Sequence, residues 1–181
     1  PIADGPVIQA SYTRALDAGL HVADIFDMLA GTTPELAAPV VTMVSYSIVY
    51  HVGLARYVAR AKAAGVAGAI VPDLPVQESD DLAKVCRSED FSLIQLVTPT
   101  TPPDRAKQIA DKTTGFIYYV SVTGITGERT ELPPEIVDNV AWLREQTDLP
   151  VCIGFGISRP DHVRLLAPVA DGLIVGSAIV R

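Results

Sequence analysis

Six apolar runs of strand length, separated by stretches of helical periodicity, constrain this chain more than any single motif. The runs are Val40–Ser45, Gly68–Val71, Ser92–Val97, Gly115–Ser121, Val151–Phe155 and Gly172–Val175. None alternates strictly between apolar and polar residues, which is the pattern of strands covered on both faces. Between them, Leu54, Tyr57, Val58 and Ala61 recur at helical spacing, and Gly65 marks a stop. Leu82, Val85 and Cys86 form a second stripe, behind an acidic Glu78-Ser79-Asp80-Asp81 start that suits a helix dipole. Thr101 and Pro102 read as the N-cap and first-turn proline of a helix with Ala106, Ile109 and Ala110 inward. Pro134 opens another, with Ile136, Val137, Val140 and Leu143 on one face. Ser158 and Asp161 read as a capping box ahead of Val163 and Leu166. Val7 to Leu29 reads as helical with a break near Gly19. Strict alternation of strand and helix predicts a parallel sheet with right-handed crossovers. An open doubly wound sheet and a closed (β/α)₈ barrel both satisfy it. Neither a repeat beyond this unit nor a linker is visible, so residues 1–181 read as a single domain.

Composition removes several classes. With 181 residues, 49% hydrophobic and 19% charged, the chain has enough apolar surface for a core and is not a disordered segment. A net charge of -7 argues against nucleic acid as the partner. The apolar runs fall well short of the ~20 residues a bilayer requires. Cys86 and Cys152 lie in apolar stretches and read as free thiols, and no signal peptide is visible, so a cytoplasmic setting is expected. His21, His51 and His162 lack metal-ligand spacing, so no metal site is expected; His162, in a helix first turn, is expected to face solvent.

Parallel strand–helix proteins bind ligands at the C-terminal ends of their strands. Gly154-Phe155-Gly156-Ile157-Ser158 ends one run and Val175-Gly176-Ser177-Ala178 ends the next. Two consecutive strand ends with spare backbone N–H groups suit a phosphate, although glycines also serve tight turns. Thr123-Gly124-Ile125-Thr126-Gly127-Glu128-Arg129 follows another strand and has the composition of a mobile lid or of an ordinary loop. Asp4 and Asp73 are the acidic candidates, with a turn or cap as the competing role for each. Tyr118 and Tyr119 are adjacent on one strand, so they point to opposite faces.

Taken together, these blocks resemble the tryptophan synthase alpha subunit family. Pro1-Ile2-Ala3-Asp4-Gly5-Pro6, Val71-Pro72-Asp73-Leu74-Pro75 with Glu78-Ser79, Ser121 to Gly127, Gly154 to Ser158, and Gly176 to Val180 occur in the family's order and approximate spacing. The resemblance runs the length of the chain. It implies an α/β fold, a (β/α)₈ (TIM) barrel, incomplete here with about six parallel strands, three to eight. It implies a lyase that cleaves indole-3-glycerol phosphate to indole and glyceraldehyde 3-phosphate in tryptophan biosynthesis. No cofactor belongs to this subunit; pyridoxal phosphate belongs to the partner beta subunit of an α₂β₂ assembly. Carried onto this sequence, Asp4 matches the carboxylate near the indole nitrogen, Tyr118 an active-site tyrosine and Thr126 a lid threonine that positions the aspartate. Gly127, Phe155, Gly156, Gly176 and Ser177 match the phosphate-binding set. The family's general acid–base glutamate lies upstream of Pro1, so the chain by itself is expected to be inactive. The helix after the last strand is expected to be missing. The family commonly has Tyr-Asn-Pro where this chain has Tyr46-Ser47-Ile48, a loop that contacts the beta subunit. The alternatives are another phosphate-binding barrel, such as an indole-glycerol-phosphate synthase or phosphoribosyl isomerase relative, or a non-catalytic module that activates a beta subunit.

Overall fold

A computed structural model of the chain describes residues 5–121, 135–154 and 156–180. Two helices lead, α1 (Pro6–Asp17) and α2 (Val22–Thr32). They are separated at Gly19, which takes φ +76°, a left-handed conformation that favours glycine. Then follow β1 (Val40–Met43), α3 (Tyr46–Val52), α4 (Leu54–Ala63), β2 (Val66–Ile70), α5 (Asp80–Ser88), β3 (Ser92–Ile94) and β4 (Leu96–Val97). The chain continues with α6 (Pro103–Lys112), β5 (Ile117–Val120), α7 (Ile136–Glu145), β6 (Val151–Gly154), α8 (Pro160–Leu166), β7 (Gly172–Ile174) and α9 (Ser177–Val180).

All strand pairs described are parallel, as the uninterrupted apolar runs require. They form two sheets, β1-β2-β3 and β4-β5-β6-β7. The run Ser92–Val97 reads as one strand in sequence. It is divided at Gln95, where the pairing partner changes from β2 to β5. Gln95 is buried, and its amide Nε2 has no partner among the described residues.

The chain divides into two compact units, one comprising Ala15–Gln95 with Lys112–Gly115, the other Pro1–Arg14, Leu96–Asp111 and Phe116–Arg181. In the first, Tyr57, Val58 and Ala61 of α4 and Leu82, Ala83 and Cys86 of α5 pack with Val66, Ala69 and Leu93 of the sheet. These are the faces the helical stripes define. Phe26 of α2 meets the Tyr57 ring edge-on at 5.6 Å, under the Arg60 guanidinium at 5.1 Å. Each fully buried aliphatic side chain contributes about 1.5–3 kcal/mol. In the second unit the core is made by Ile117 and Tyr119 of β5, Ile136, Val140 and Leu143 of α7, Val151 and Ile153 of β6, and Leu166 of α8.

Two local readings change. Tyr46-Ser47-Ile48 is not a loop but the start of α3, which ends at Gly53, φ +93°. The proline at the first position of α6 is Pro103, one residue later than expected. After the last strand the described residues hold one four-residue helical turn, α9.

Candidate functional site

The four-stranded sheet supplies the glycine-rich strand ends. Tyr118 and Tyr119 sit side by side on β5, 3% and 2% exposed, on opposite faces. Burial pushes the Tyr119 phenol up, partly offset by the side chain of Asn139 on α7, so Tyr119 belongs to the helix side. Tyr118 lies over β6: a Cβ added to Gly154 would run into its ring and hydroxyl. Gly154 is therefore what lets the tyrosine ring settle across the end of the neighbouring strand.

Register does the rest. Gly154 pairs with Ile174, so the turns after β6 and β7 leave the sheet side by side and in the same direction. The first contains Gly156 at φ +78°, followed by buried Ile157. The second contains Gly176, where neither a positive φ nor crowding demands glycine: an added Cβ would meet nothing within 4 Å. Ser177 then opens α9, and the Gly176 carbonyl accepts from the Ile179 N–H at 2.8 Å. At the neighbouring β5 end, the Ser121 N–H donates to the Gly154 carbonyl at 2.9 Å.

The entry to α8 differs from the expected capping box. Its N-cap is Arg159, without a side-chain cap, and Asp161 turns to Arg164 at 2.6 Å and Arg159 at 3.5 Å. His162 takes the place of the box acid. Its Nδ1 accepts from the Ser158 N–H at 3.4 Å. The expectation that His162 faces solvent is overturned: it is 6% exposed, drawn inward by its place on the buried face of α8 beside Leu166.

The three-stranded sheet ends differently. Asp73, after β2, accepts the Ser45 hydroxyl at 2.5 Å and the Tyr46 N–H at 2.8 Å. It ties β1's end to β2's and satisfies one of the spare donors opening α3. Burial alone would raise its pKa, but the Ser45 hydroxyl and the backbone N–H groups of Tyr46 and Asp73 hold it below the usual carboxylate range. The cap role weighed for Asp73 is the observed one, though for a helix distant in sequence.

Of the expected site residues, Tyr118, Gly156, Gly176 and Ser177 lie at the C-terminal end of the four-stranded sheet. Asp4, Thr126, Gly127 and Phe155 lie outside the described residues. Among the described residues no cluster of His, Cys, Asp or Glu could hold a metal ion, and no helix is long and apolar enough to cross a membrane. Sequence reasoning missed His162. The available signal was its spacing, four residues after Ser158, within reach of the turn.

The whole chain, residues 1–181, matches the family described as "Tryptophan synthase alpha chain". A tryptophan synthase alpha chain of Rhodopirellula baltica is 65% identical over 184 residues, covering 100% of this chain and 66% of that protein. One from Methanocaldococcus jannaschii is 44% identical, covering 100% of this chain and 65% of the relative. The chain thus spans about two thirds of the length of the curated relatives it matches. A structure of the tryptophan synthase α₂β₂ complex from Pyrococcus furiosus superposes with a TM-score of 0.91 at 39% identity, over 99% of this chain and 73% of that one. The parallel strand–helix units described above are accordingly part of a (β/α)₈ barrel. By sequence along its whole length and by fold, the chain belongs to the tryptophan synthase alpha chain family.

Proposed function

We propose that this chain carries most of the active site of an alpha-type lyase that cleaves indole-3-glycerol phosphate to indole and glyceraldehyde 3-phosphate. The observation that carries the reading is the side-by-side exit of the two glycine turns after β6 and β7, with Tyr118 packed on Gly154 beside them. The glycine at 176, which the fold itself does not require, supports it, since a phosphate oxygen can approach bare backbone closely.

The roles follow from the bond that breaks. Cleavage needs C3 of the indole ring protonated, the developing positive charge at the ring nitrogen stabilised, and the glycerol hydroxyl deprotonated. Asp4 takes the carboxylate role at the nitrogen, where a preorganised charge is worth most. Tyr118 borders the indole-bearing part of the substrate. Thr126 positions Asp4, and Gly127, Phe155, Gly156, Gly176 and Ser177 surround the phosphate. The family's acid–base glutamate is assigned to no position among residues 1–181. The reading places no cofactor in this chain, assigns pyridoxal phosphate to a beta-subunit partner in an α₂β₂ assembly, and treats residues 1–181 as part of one barrel domain of a cytoplasmic enzyme.

The test is indole release from indole-3-glycerol phosphate by a family-length protein carrying this sequence, with and without beta subunit. Asp4→Asn should abolish release while leaving glycerol 3-phosphate affinity within about threefold, because the substitution removes a charge at the far end of the substrate. Absence of indole release under both conditions would refute the lyase reading.

A further inference from the structure

We propose that His162 is a positioning residue, whose Nδ1 holds the Gly156–Ser158 turn in the shape from which it meets a phosphate. The inference rests on the phosphate reading above. It starts from three facts about one side chain. His162 is 6% exposed, its Nδ1 accepts from the Ser158 N–H at 3.4 Å, and its Nε2 is buried without a partner among the described residues.

An Nδ1 that accepts carries no proton, so the neutral ring holds its proton on Nε2. That Nε2–H is a buried donor with no acceptor among the described residues, which is unfavourable. A leucine or phenylalanine would fill the same space without that penalty. What the imidazole adds over an apolar side chain is its Nδ1 acceptor, and this acceptor is spent on the turn. In an ordinary capping box the third helical residue reaches back to the N-cap N–H. Here the N-cap is Arg159, and the third residue, His162, reaches one position further, into the turn itself. Asp161, the acidic neighbour, is engaged by Arg164 and Arg159 instead.

The turn needs such a hold. Gly156, at φ +78°, has the widest conformational freedom of any residue type. On one side β6 fixes the backbone through its pairing with β5 and β7. On the other, buried Ile157 and the Ser158–His162 bond fix it. Removing the bond frees one side of a glycine joint whose N–H orientation a phosphate would read.

The experiment compares His162→Leu, which keeps apolar volume, with His162→Asn, whose Oδ1 overlies Nδ1. Both are measured in the family-length protein for glycerol 3-phosphate affinity and for KM and kcat on indole-3-glycerol phosphate. His162→Leu should weaken binding and raise KM roughly tenfold, the size expected when one hydrogen bond is lost and a turn loosens, with kcat within about twofold. His162→Asn should return both to within about threefold of the parent. Equal impairment by the two variants, or no change in either, overturns the proposal. Failure of the unsubstituted protein to bind glycerol 3-phosphate refutes the phosphate reading, and this inference with it. Should His162→Leu not fold, the ¹⁵N spectrum of the imidazole in the unsubstituted protein decides: a protonated Nδ1 overturns the assignment, an unprotonated one supports it.

Discussion

The two sheets finish their strands in opposite ways. At the end of the three-stranded sheet, side chains are spent on one another: Asp73 accepts from Ser45 and Tyr46, and Ser45 and Ser47 hydroxyls lie 3.0 Å apart. At the end of the four-stranded sheet β6 and β7 run into glycine, and among the described residues the carboxylate that ties these two strands sits at the other end. Asp171 precedes β7, accepts the Val151 N–H at 2.9 Å and pairs with Arg144 at 3.0 Å. One sheet thus uses an acid to close its C-terminal end, while β6 and β7 are tied by an acid at their N-terminal end and turn on glycine at the other. The lesson is that a carboxylate at a strand end is not by that fact a catalytic group: its partners decide.

If the difference is confined to strand ends, the cores should respond alike. Leu93→Ala in one unit and Ile153→Ala in the other each remove a side chain that is 1% or less exposed. Each should cost about 2–5 kcal/mol, the range for large-to-alanine changes in packed cores, read from urea unfolding. A loss below about 1 kcal/mol at either site would show that one sheet is packed more loosely and break the comparison at its base.

Gly154→Ala tests the bare end directly. The added methyl meets the Tyr118 ring, so the ring must leave the end of β6. A stability loss of about 1–3 kcal/mol is expected, as for other overpacked sites. A fall in kcat/KM of roughly a hundredfold should accompany it in the family-length protein, since small misplacements of active-site groups carry that cost. Gly176→Ala, at a position with open space, should leave stability within about 0.5 kcal/mol while weakening phosphate binding. Unchanged binding would leave Gly176 without a role.

Asp73→Asn tests the closed end. Asparagine keeps one acceptor but loses the charge, and the expected cost at neutral pH is about 1 kcal/mol, as for a weakened helix-end contact. The pH dependence follows from the direction of the shift. A carboxylate whose folded-state pKa is lowered adds stability above its unfolded pKa, and this is lost as pH falls through the folded value. The gap in Tm between parent and variant should therefore be full above about pH 5, begin to shrink near about pH 4 and close only as pH falls below the lowered folded-state value. A gap that persists in acid would mean the charge is not what Asp73 contributes.

How much of this was legible beforehand follows the same division. The six runs, the α4, α5 and α6 faces and the breaks at Gly19 and Gly65 could be read because each rests on local periodicity or on one residue's backbone freedom. The family was legible because five blocks keep their order. The contact between Asp73 and Ser45 spans 28 residues and exists only once β1 and β2 pair, so no local pattern announces it. The helix α3 was hidden by Tyr46, Ser47 and Ile48, of which none is a strong helix former. The burial of His162 depends on how α8 is set against its sheet; composition favoured solvent because histidine in a first turn usually finds it. The division of Ser92–Val97 at Gln95 reflects a change of pairing partner, which an apolar run cannot encode.

The smallest effect separates the units by chemistry rather than stability. Each has one free cysteine in its packing: Cys86 on α5, 1% exposed, and Cys152 on β6, half-buried. Burial pushes the Cys86 thiol up to about 12, slightly eased by Arg87, and raises Cys152 as well, with the Asp171 charge adding to burial. Alkylation requires the thiolate. At pH 8 a thiol with a pKa near 12 is ionised to about one part in ten thousand, and Cys86 is closed to reagent besides. Iodoacetamide should therefore label Cys152 before Cys86 in the native protein, by mass spectrometry of peptides. Urea should bring the two rates within about twofold, since both then approach the ordinary thiol range. Native labelling of Cys86 at the rate of Cys152 would mean that α5 opens from its sheet as readily as reagent reaches the half-buried Cys152, and the packing described for the three-stranded unit would have to be revised.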